Sequence, residues 1–226
     1  MINKDTEVCI SMAAKAGNFG CSIHNSAFNY LQLNYIYKSF SVEPKNLHSA
    51  IDGMRSLNIR GAGITMPHKI KAIEHCDIVS EEVKAIGSTN TLVNNAGIIT
   101  CYNTDAYSSY TVLKRFRKKY DTVHILGDGG YSKAVRYSAH KLFDEVNIIN
   151  RNNWDLIENI ENSIIFNCTP VKNIVVNKSV KFIDCDVNSK TGQELALLQA
   201  SKQFLMYTGV NFPMQYIRDN FDNIII

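Results

Sequence analysis

The segment VHILGDGGYSKA, residues 123–134, constrains this chain more than any other stretch. A short apolar run leads directly into Gly127, Gly129 and Gly130, and a helix-compatible stretch follows. Strand, glycine turn and helix in that order form the arrangement that binds a dinucleotide pyrophosphate. Gly127 allows the tight turn, while Gly129 and Gly130 let backbone N–H groups approach phosphates at a helix N-terminus. The full G-x-G-x-x-G spacing is not met, because Ser132 holds the third glycine position. A plain βα turn that needs glycine is the other reading of the same residues.

The neighbouring segments set the fold class. Residues 146–151 (VNIINR), 164–170 (IIFNCTP) and 181–187 (KFIDCDV) read as further strands of a unit that starts near Thr122. Ahead of it, 6–12 reads as a strand, 13–20 as a loop, and His24 to Leu33 as a helix. A strand over 35–42 and a helix from Pro44 to about Leu57 follow, the helix marked by Leu47, Ile51, Met54 and Leu57. A third strand covers 59–66, Pro67 fits the first turn of a helix, and Ser80 can cap another. Residues 89–94 and 98–103 flank Asn95 and Gly97 and read as a hairpin. Helices are expected over 106–120 and 193–207, the second ended by Gly209. The class is α/β, with a mainly parallel sheet in the N-terminal domain and a second α/β unit after it.

Composition excludes several functions. The 226 residues, 45% of them hydrophobic, can build one large domain or two small ones. With 20% charged residues and a net charge of +3, no polyanionic partner is implied. The basic run KRFRKK (114–119) reads as a solvated helix face, with no nucleic-acid motif beside it. No run approaches the ~18 apolar residues of a membrane span, and the opening MINKDTEVCISM is not a secretory signal. The six cysteines include no C-x-x-C pair, so reduced thiols in a cytoplasmic protein are expected, without a disulfide frame or a metal site. Cys101 and Cys168 read as small buried apolar residues, and His24 and His68 as hydrogen-bonded structural ones.

Three polar residues stand out. Thr65-Met66-Pro67-His68-Lys69 lies where a strand runs out, and ligands of open α/β sheets gather at the carboxyl ends of strands. Asn90 begins the hairpin and Asp105 follows it. A lysine ammonium oriented by a carboxylate is a proton-handling couple, although a lone Lys and a lone Asp are more often solvent-exposed. In the second unit, Asn150-Arg151-Asn152 ends a strand without a carboxylate, and Arg151 can pair with a 2′-phosphate. That favours NADP over NAD.

Taken together, GITMPHK (63–69), AIGSTNTLVNNAG (85–97), YNTD (102–105), GDGGYSKA (127–134), INRN (149–152) and NCTP (167–170) resemble the successive motifs of shikimate dehydrogenases. The opening INKDTEVCISMAAKAGNFGCSIHN is more similar to the divergent branch called shikimate dehydrogenase-like proteins. The resemblance implies NADP-dependent, reversible reduction of 3-dehydroshikimate to shikimate in aromatic amino acid biosynthesis. It implies a substrate domain from residues 1–104 completed by 192–226, and a Rossmann-like NADP domain over 105–191. Carried over by motif, Lys69 and Asp105 are the catalytic pair, and Thr65, Asn90 and Gln199 hold the ring hydroxyls. Gly127, Asp128, Gly129 and Gly130 hold the pyrophosphate, and Asn150, Arg151 and Asn152 the adenosine phosphate. Leu195 falls where the family places a methionine near the nicotinamide. The partner is a small cyclic hydroxy acid, with no nucleic acid and no membrane, and the chain is a monomer or homodimer.

Two departures from the family are legible. Two serines that hold the substrate carboxylate are replaced by Asn18 and Gly20 just ahead of His24-Asn25, and Asn18 can donate one amide hydrogen bond. After NCTP, only KFIDCDVNSKT separates the last strand from Gly192, so the nucleotide domain is trimmed on its nicotinamide side. A weakly active or purely binding protein, and an oxidoreductase for another substrate, remain open beside the main expectation.

Overall fold

The computed structural model describes residues 2–224, which divide into two compact units. One comprises the chain up to Thr104 together with residues from Ala200 onward; the other runs from Asp105 to Gln199.

The first unit opens with β1 (Glu7–Ala13), α1 (Phe19–Tyr30), β2 (Tyr35–Ser41), α2 (Leu47–Ser56) and β3 (Gly61–Ile64). It continues with β4 (Ile78–Val79), α3 (Glu81–Ile86), β5 (Thr91–Asn95) and β6 (Ile98–Tyr102). The sheet order is β2-β1-β3-β5-β6-β4. β1 is parallel to β2 and β3, β5 is antiparallel to β3 and β6, and β4 is parallel to β6. The β5–β6 hairpin is the one that the turn residues predict. Ala96 and Gly97 both take positive φ in its turn, and Asn94 Oδ1 accepts from the Gly97 N–H at 2.8 Å.

Helix faces follow from apolar spacing. α1 buries Ile23, His24, Ala27 and Phe28, one stripe of a 3.6-residue repeat. α2 buries Leu47, Ile51 and Met54 in the same way. They join Ile10, Met12, Ala62, Leu92 and Ile99 in a core under the sheet, where each large side chain contributes about 1.5–3 kcal/mol by leaving water. The edge strand β2 is closed by α1. The Asn25 side chain accepts from Tyr37 N–H at 2.8 Å and donates to the Tyr37 carbonyl at 2.9 Å. The Ser39 N–H donates to the Cys21 sulfur at 3.1 Å. This satisfies edge groups that would otherwise pair with another chain.

The second unit carries α4 (Thr104–Leu113, with Asp105 as its first own residue), β7 (Thr122–Leu126), α5 (Gly130–Ala139), β8 (Glu145–Ile149), β9 (Ile164–Asn167) and β10 (Lys181–Asp184). Its four strands are all parallel, in the order β10-β9-β7-β8. The chain leaves central β7 for β8 on one side and returns to β9 on the other. The carboxyl ends of β7 and β9 therefore flank a topological switch point. The sheet is short of helices: a 3-10 turn (Trp154–Asn159) stands between β8 and β9, and β9 reaches β10 with no helix among the described residues. The trimmed stretch after β10 is a knot of short polar bonds. Thr191 Oγ1 accepts from the Asp184 N–H and donates to the Asp184 carbonyl, each at 3.0 Å, and Ser189 Oγ donates to the Asp186 carbonyl at 2.8 Å.

From there α6 (Lys190–Thr208) begins in the second unit, and its part from Ala200 on belongs to the first, followed by α7 (Met214–Asp219) and α8 (Phe221–Ile224). β3 is bare on the side that receives α6. A methyl group at Gly61 would overlap the Tyr207 ring, and one at Gly63 would lie 2.8 Å from the Tyr37 hydroxyl.

Several elements differ from expectation. The helix expected over 106–120 stops at Leu113, because KRFRKK offers no apolar stripe and sets like charges four residues apart. α1 starts at Phe19 rather than His24. The segment after Pro67 makes only a 3-10 turn, Lys71–His75, before the chain extends into the two-residue β4. α7, α8 and β4 are too short to leave a periodic signal. Among the described residues no helix is long and apolar enough to cross a membrane, no group of metal-ligating side chains forms, and the six cysteines form no disulfide.

Candidate active site

In the first unit, Thr65, Lys69 and Asn90 come to one edge of the sheet. Thr65 and Lys69 follow the carboxyl end of β3. Asn90 precedes β5, whose antiparallel course starts at that same end. The Thr65 N–H donates to the Met12 carbonyl at 3.0 Å, and the Lys69 carbonyl accepts from the Thr89 N–H at 2.8 Å. The lysine backbone is thus tied to the residue beside Asn90. Thr65 is exposed and Lys69 half-buried. Asn18, also exposed, stands at the N-cap position of α1 with no side-chain cap bond.

Asn90 is 1% exposed and sits in a dense network. Its Oδ1 accepts from the Thr104 N–H at 2.7 Å and the Thr91 hydroxyl at 2.8 Å, while its Nδ2 donates to Thr104 Oγ1 at 2.9 Å. Gln203, on the last part of α6, donates to the Asn90 carbonyl at 3.2 Å and to Thr91 Oγ1 at 3.1 Å. His24 stacks on Tyr37 with ring centroids 4.5 Å apart and lies buried beside Phe28 and Phe204. Burial lowers its pKa to about 4. The His68 Nε2 meets the Val42 carbonyl at 2.8 Å, whereas His24 is held by ring packing, and its Nδ1 has no hydrogen-bond partner. Thr91, Thr104 and Gln203 were not picked out by sequence reasoning. The available signal was helical spacing, since Gln203 lies four residues beyond Gln199 on α6.

In the second unit, Asp105 is 1% exposed near the start of α4. Burial first, and then the Asp105 carboxylate, push the Tyr131 phenol well above its ordinary pKa. Gly127 has φ +101, and its N–H donates to the Ile149 carbonyl at 2.7 Å. A methyl group there would lie 2.9 Å from the Thr169 side chain, so both conformation and space demand glycine. Asp128 and Gly129 are exposed; Gly129 is extended, with nothing within 4 Å of where a side chain would begin, and Gly130 starts α5 with no acidic residue in the first turn. Ser132, at the third glycine position, donates to the Gly129 carbonyl at 2.8 Å and braces the turn. A helix N-terminus with open space above its cap suits a pyrophosphate. After β8, Asn150 and Asn153 build a turn: Asn153 Oδ1 accepts from the Asn150 N–H at 2.7 Å, and Asn150 Oδ1 from the Asn152 N–H at 2.9 Å. Arg151 and Asn152 project from it, exposed, and no carboxylate occurs between Asn150 and Asn153. Leu195 is buried in the first half of α6 and Gln199 half-buried at its boundary.

The family model for the shikimate dehydrogenase substrate-binding domain matches residues 19–92, the stretch that holds Thr65, Lys69 and Asn90. Over that stretch the chain is similar to the shikimate dehydrogenases. It is 38% identical over 136 residues to a shikimate dehydrogenase-like protein of Haemophilus influenzae, an alignment covering 60% of this chain and 49% of that relative. The chain thus spans about half the length of the curated relatives it matches. A solved shikimate 5-dehydrogenase-like protein superposes with a TM-score of 0.84 at 28% identity, covering 99% of each chain. A shikimate dehydrogenase solved in complex with NADP+ gives a TM-score of 0.84 at 25% identity, covering 100% of this chain and 98% of that one. These shikimate dehydrogenase structures share the arrangement of a substrate-binding part and a Rossmann-like part.

Proposed function

We propose that the chain is an NADP-dependent oxidoreductase that interconverts 3-dehydroshikimate and shikimate or a related cyclic hydroxy acid. One observation carries the reading above the rest. The buried Asn90 amide, with Lys69 tied beside it through Thr89, lies at the carboxyl edge of the first sheet and within the match to a shikimate dehydrogenase substrate-binding domain. In this reading the first unit takes the substrate and the second the dinucleotide. Thr65, Asn90 and Gln199 hold ring hydroxyls, and Asn18 donates to the carboxylate. The Lys69 ammonium moves the proton of the reacting hydroxyl, and the Asp105 carboxylate holds the lysine. Gly127 to Gly130 receive the pyrophosphate on backbone N–H groups, Arg151 with Asn150 and Asn152 receives the adenosine phosphate, and Leu195 forms apolar wall. Bound NADP supplies or accepts the hydride.

The test is NADPH consumption with 3-dehydroshikimate, followed by absorbance. Lys69→Ala is expected to lower turnover by about 10²–10⁴-fold; unchanged turnover removes Lys69 from the mechanism.

A second reading, an oxidoreductase for a different substrate, is favoured by Gly20. A side chain there would meet the Tyr37 ring at 3.2 Å, and Tyr37 is buried and stacked on His24. A serine like those that hold the carboxylate in the family therefore meets a crowded position. Preference for an analogue such as quinate or an amino-substituted ring over shikimate, measured as kcat/KM, supports this reading; efficient turnover of shikimate itself rejects it.

A further inference from the structure

We propose that Cys168 and Cys185 are a redox-active dithiol, closed to a disulfide by exchange with a small-molecule disulfide of the glutathione type, and that closure is felt at the glycine turn beside them. The effect on the cofactor rests on the proposed dinucleotide role of that turn; the dithiol itself does not. Two parallel strands bring the cysteines together. Asn167 pairs with Asp184, and the ladder continues through the Cys185 N–H, which donates to the Asn167 carbonyl at 3.1 Å. Cys168 and Cys185 are therefore the next residues on neighbouring strands, at the carboxyl end of the sheet. Both backbones turn there in the same way. Asn167 Oδ1 accepts from the Thr169 N–H at 3.0 Å, and Asp184 Oδ1 from the Asp186 N–H at 3.1 Å. Asn167 Nδ2 ties the two turns together by donating to Asp184 Oδ1 at 3.1 Å. Asn167 and Asp184 thus share one face, and the cysteines that follow them share the other. Neighbouring strands lie about 4.8 Å apart, inside the roughly 4.4–6.8 Å that a disulfide spans between Cα atoms.

Both cysteines are half-buried, so a small disulfide can reach them. Their backbones are held on either side. The Cys168 N–H donates to the Leu126 carbonyl at 3.0 Å, and a methyl group at Gly127 would lie 3.6 Å from the Cys168 carbonyl oxygen. On the other strand, a methyl group at Gly192 would lie 3.0 Å from the Cys185 carbonyl carbon. A disulfide brings its Cβ atoms to about 3.8 Å, so closure pulls on the corner against which Gly127 packs. The chemistry is two exchanges. One protein thiolate attacks the small disulfide, forms a mixed disulfide and releases one small thiolate. The second protein thiolate attacks the protein sulfur of that mixed disulfide, forms the Cys168–Cys185 bond and releases the other. Two protein thiols are oxidised, one small disulfide is reduced, and the two thiol protons pass to the departing thiolates.

The experiment treats reduced wild type, Cys168→Ser, Cys185→Ser and the double variant with oxidised glutathione, alkylates the remaining thiols and maps the peptides by mass spectrometry. NADPH affinity is read by calorimetry before and after treatment. Wild type should yield a peptide linked through Cys168 and Cys185, with two hydrogens lost, no glutathione retained, and full reversal by dithiothreitol. Each single variant should instead keep one glutathione on its remaining cysteine of the pair, because the resolving thiol is missing. Oxidation of wild type should weaken NADPH binding about tenfold, the scale of an ordinary coupling between two sites, and treatment of the double variant should leave it unchanged. Glutathione retained on both cysteines of wild type, or a link from either to a different cysteine, overturns the dithiol. A linked pair with unchanged NADPH affinity overturns its coupling to the turn. Reduced wild type that binds no NADPH removes the proposed cofactor role, while the linked peptide still decides the dithiol.

Discussion

The two units handle polarity in opposite ways. Around Asn90, the polar groups are side chains sunk in the core, bonded one to the next. Around Gly127 to Gly130, they are backbone groups at an exposed turn, with open space above Gly129. The difference follows from what each would hold. Ring hydroxyls are told apart only by donors and acceptors fixed in place, and burial fixes them. A pyrophosphate needs N–H groups and room, which a helix N-terminus supplies with little other structure. The first unit should therefore be sensitive in stability, the second in binding.

The largest expected contrast is the pH dependence of folding. Burial holds His24 at about 4 in the folded chain against an ordinary 6.5. The unfolded chain binds the proton first as pH falls, so stability is full above about 6.5 and is lost as pH drops towards 4. The loss amounts to about 3 kcal/mol. Urea unfolding near neutral pH and at about pH 4.5 should show it, and His24→Phe should flatten the slope. An equal slope in that variant assigns the proton elsewhere.

Paired glycine substitutions come next. Gly63→Ala should cost about 1–3 kcal/mol, visible as a lower melting temperature, because the Tyr37 hydroxyl has to move. Gly129→Ala should leave stability within about 0.5 kcal/mol, yet weaken NADPH binding, since the methyl group enters the space above the turn. If Gly129→Ala destabilises as much as Gly63→Ala, the contrast between the units fails. The smallest effect belongs to Arg151→Ala. An exposed cation contributes about 1 kcal/mol to a phosphate contact, so NADPH affinity should fall about fivefold with NADH affinity unchanged. Equal losses for both cofactors would remove Arg151 from the 2′-phosphate.

Much of this was legible before any coordinates. Apolar spacing at Leu47, Ile51 and Met54 marked α2, Asn95 and Gly97 marked the hairpin, and Ser80 marked the start of α3, where it accepts from the Val83 N–H at 3.3 Å. The charged run after Leu113 misled, because helix propensity without a face to bury does not extend a helix. Gln199 drew attention through its motif and Gln203 did not, because a glutamine in an exposed-looking stretch says nothing of partners more than a hundred residues away.

Local rules decided what needs only neighbours in the chain: the glycine turn, the caps, the helix faces and the absence of a carboxylate after β8. Those depend on backbone conformation and on spacing along one element. Tertiary structure alone decided the direction of the bonds around Asn90. Which way an amide points depends on donors brought from β5, α4 and α6, and burial then removes the water that would let it turn.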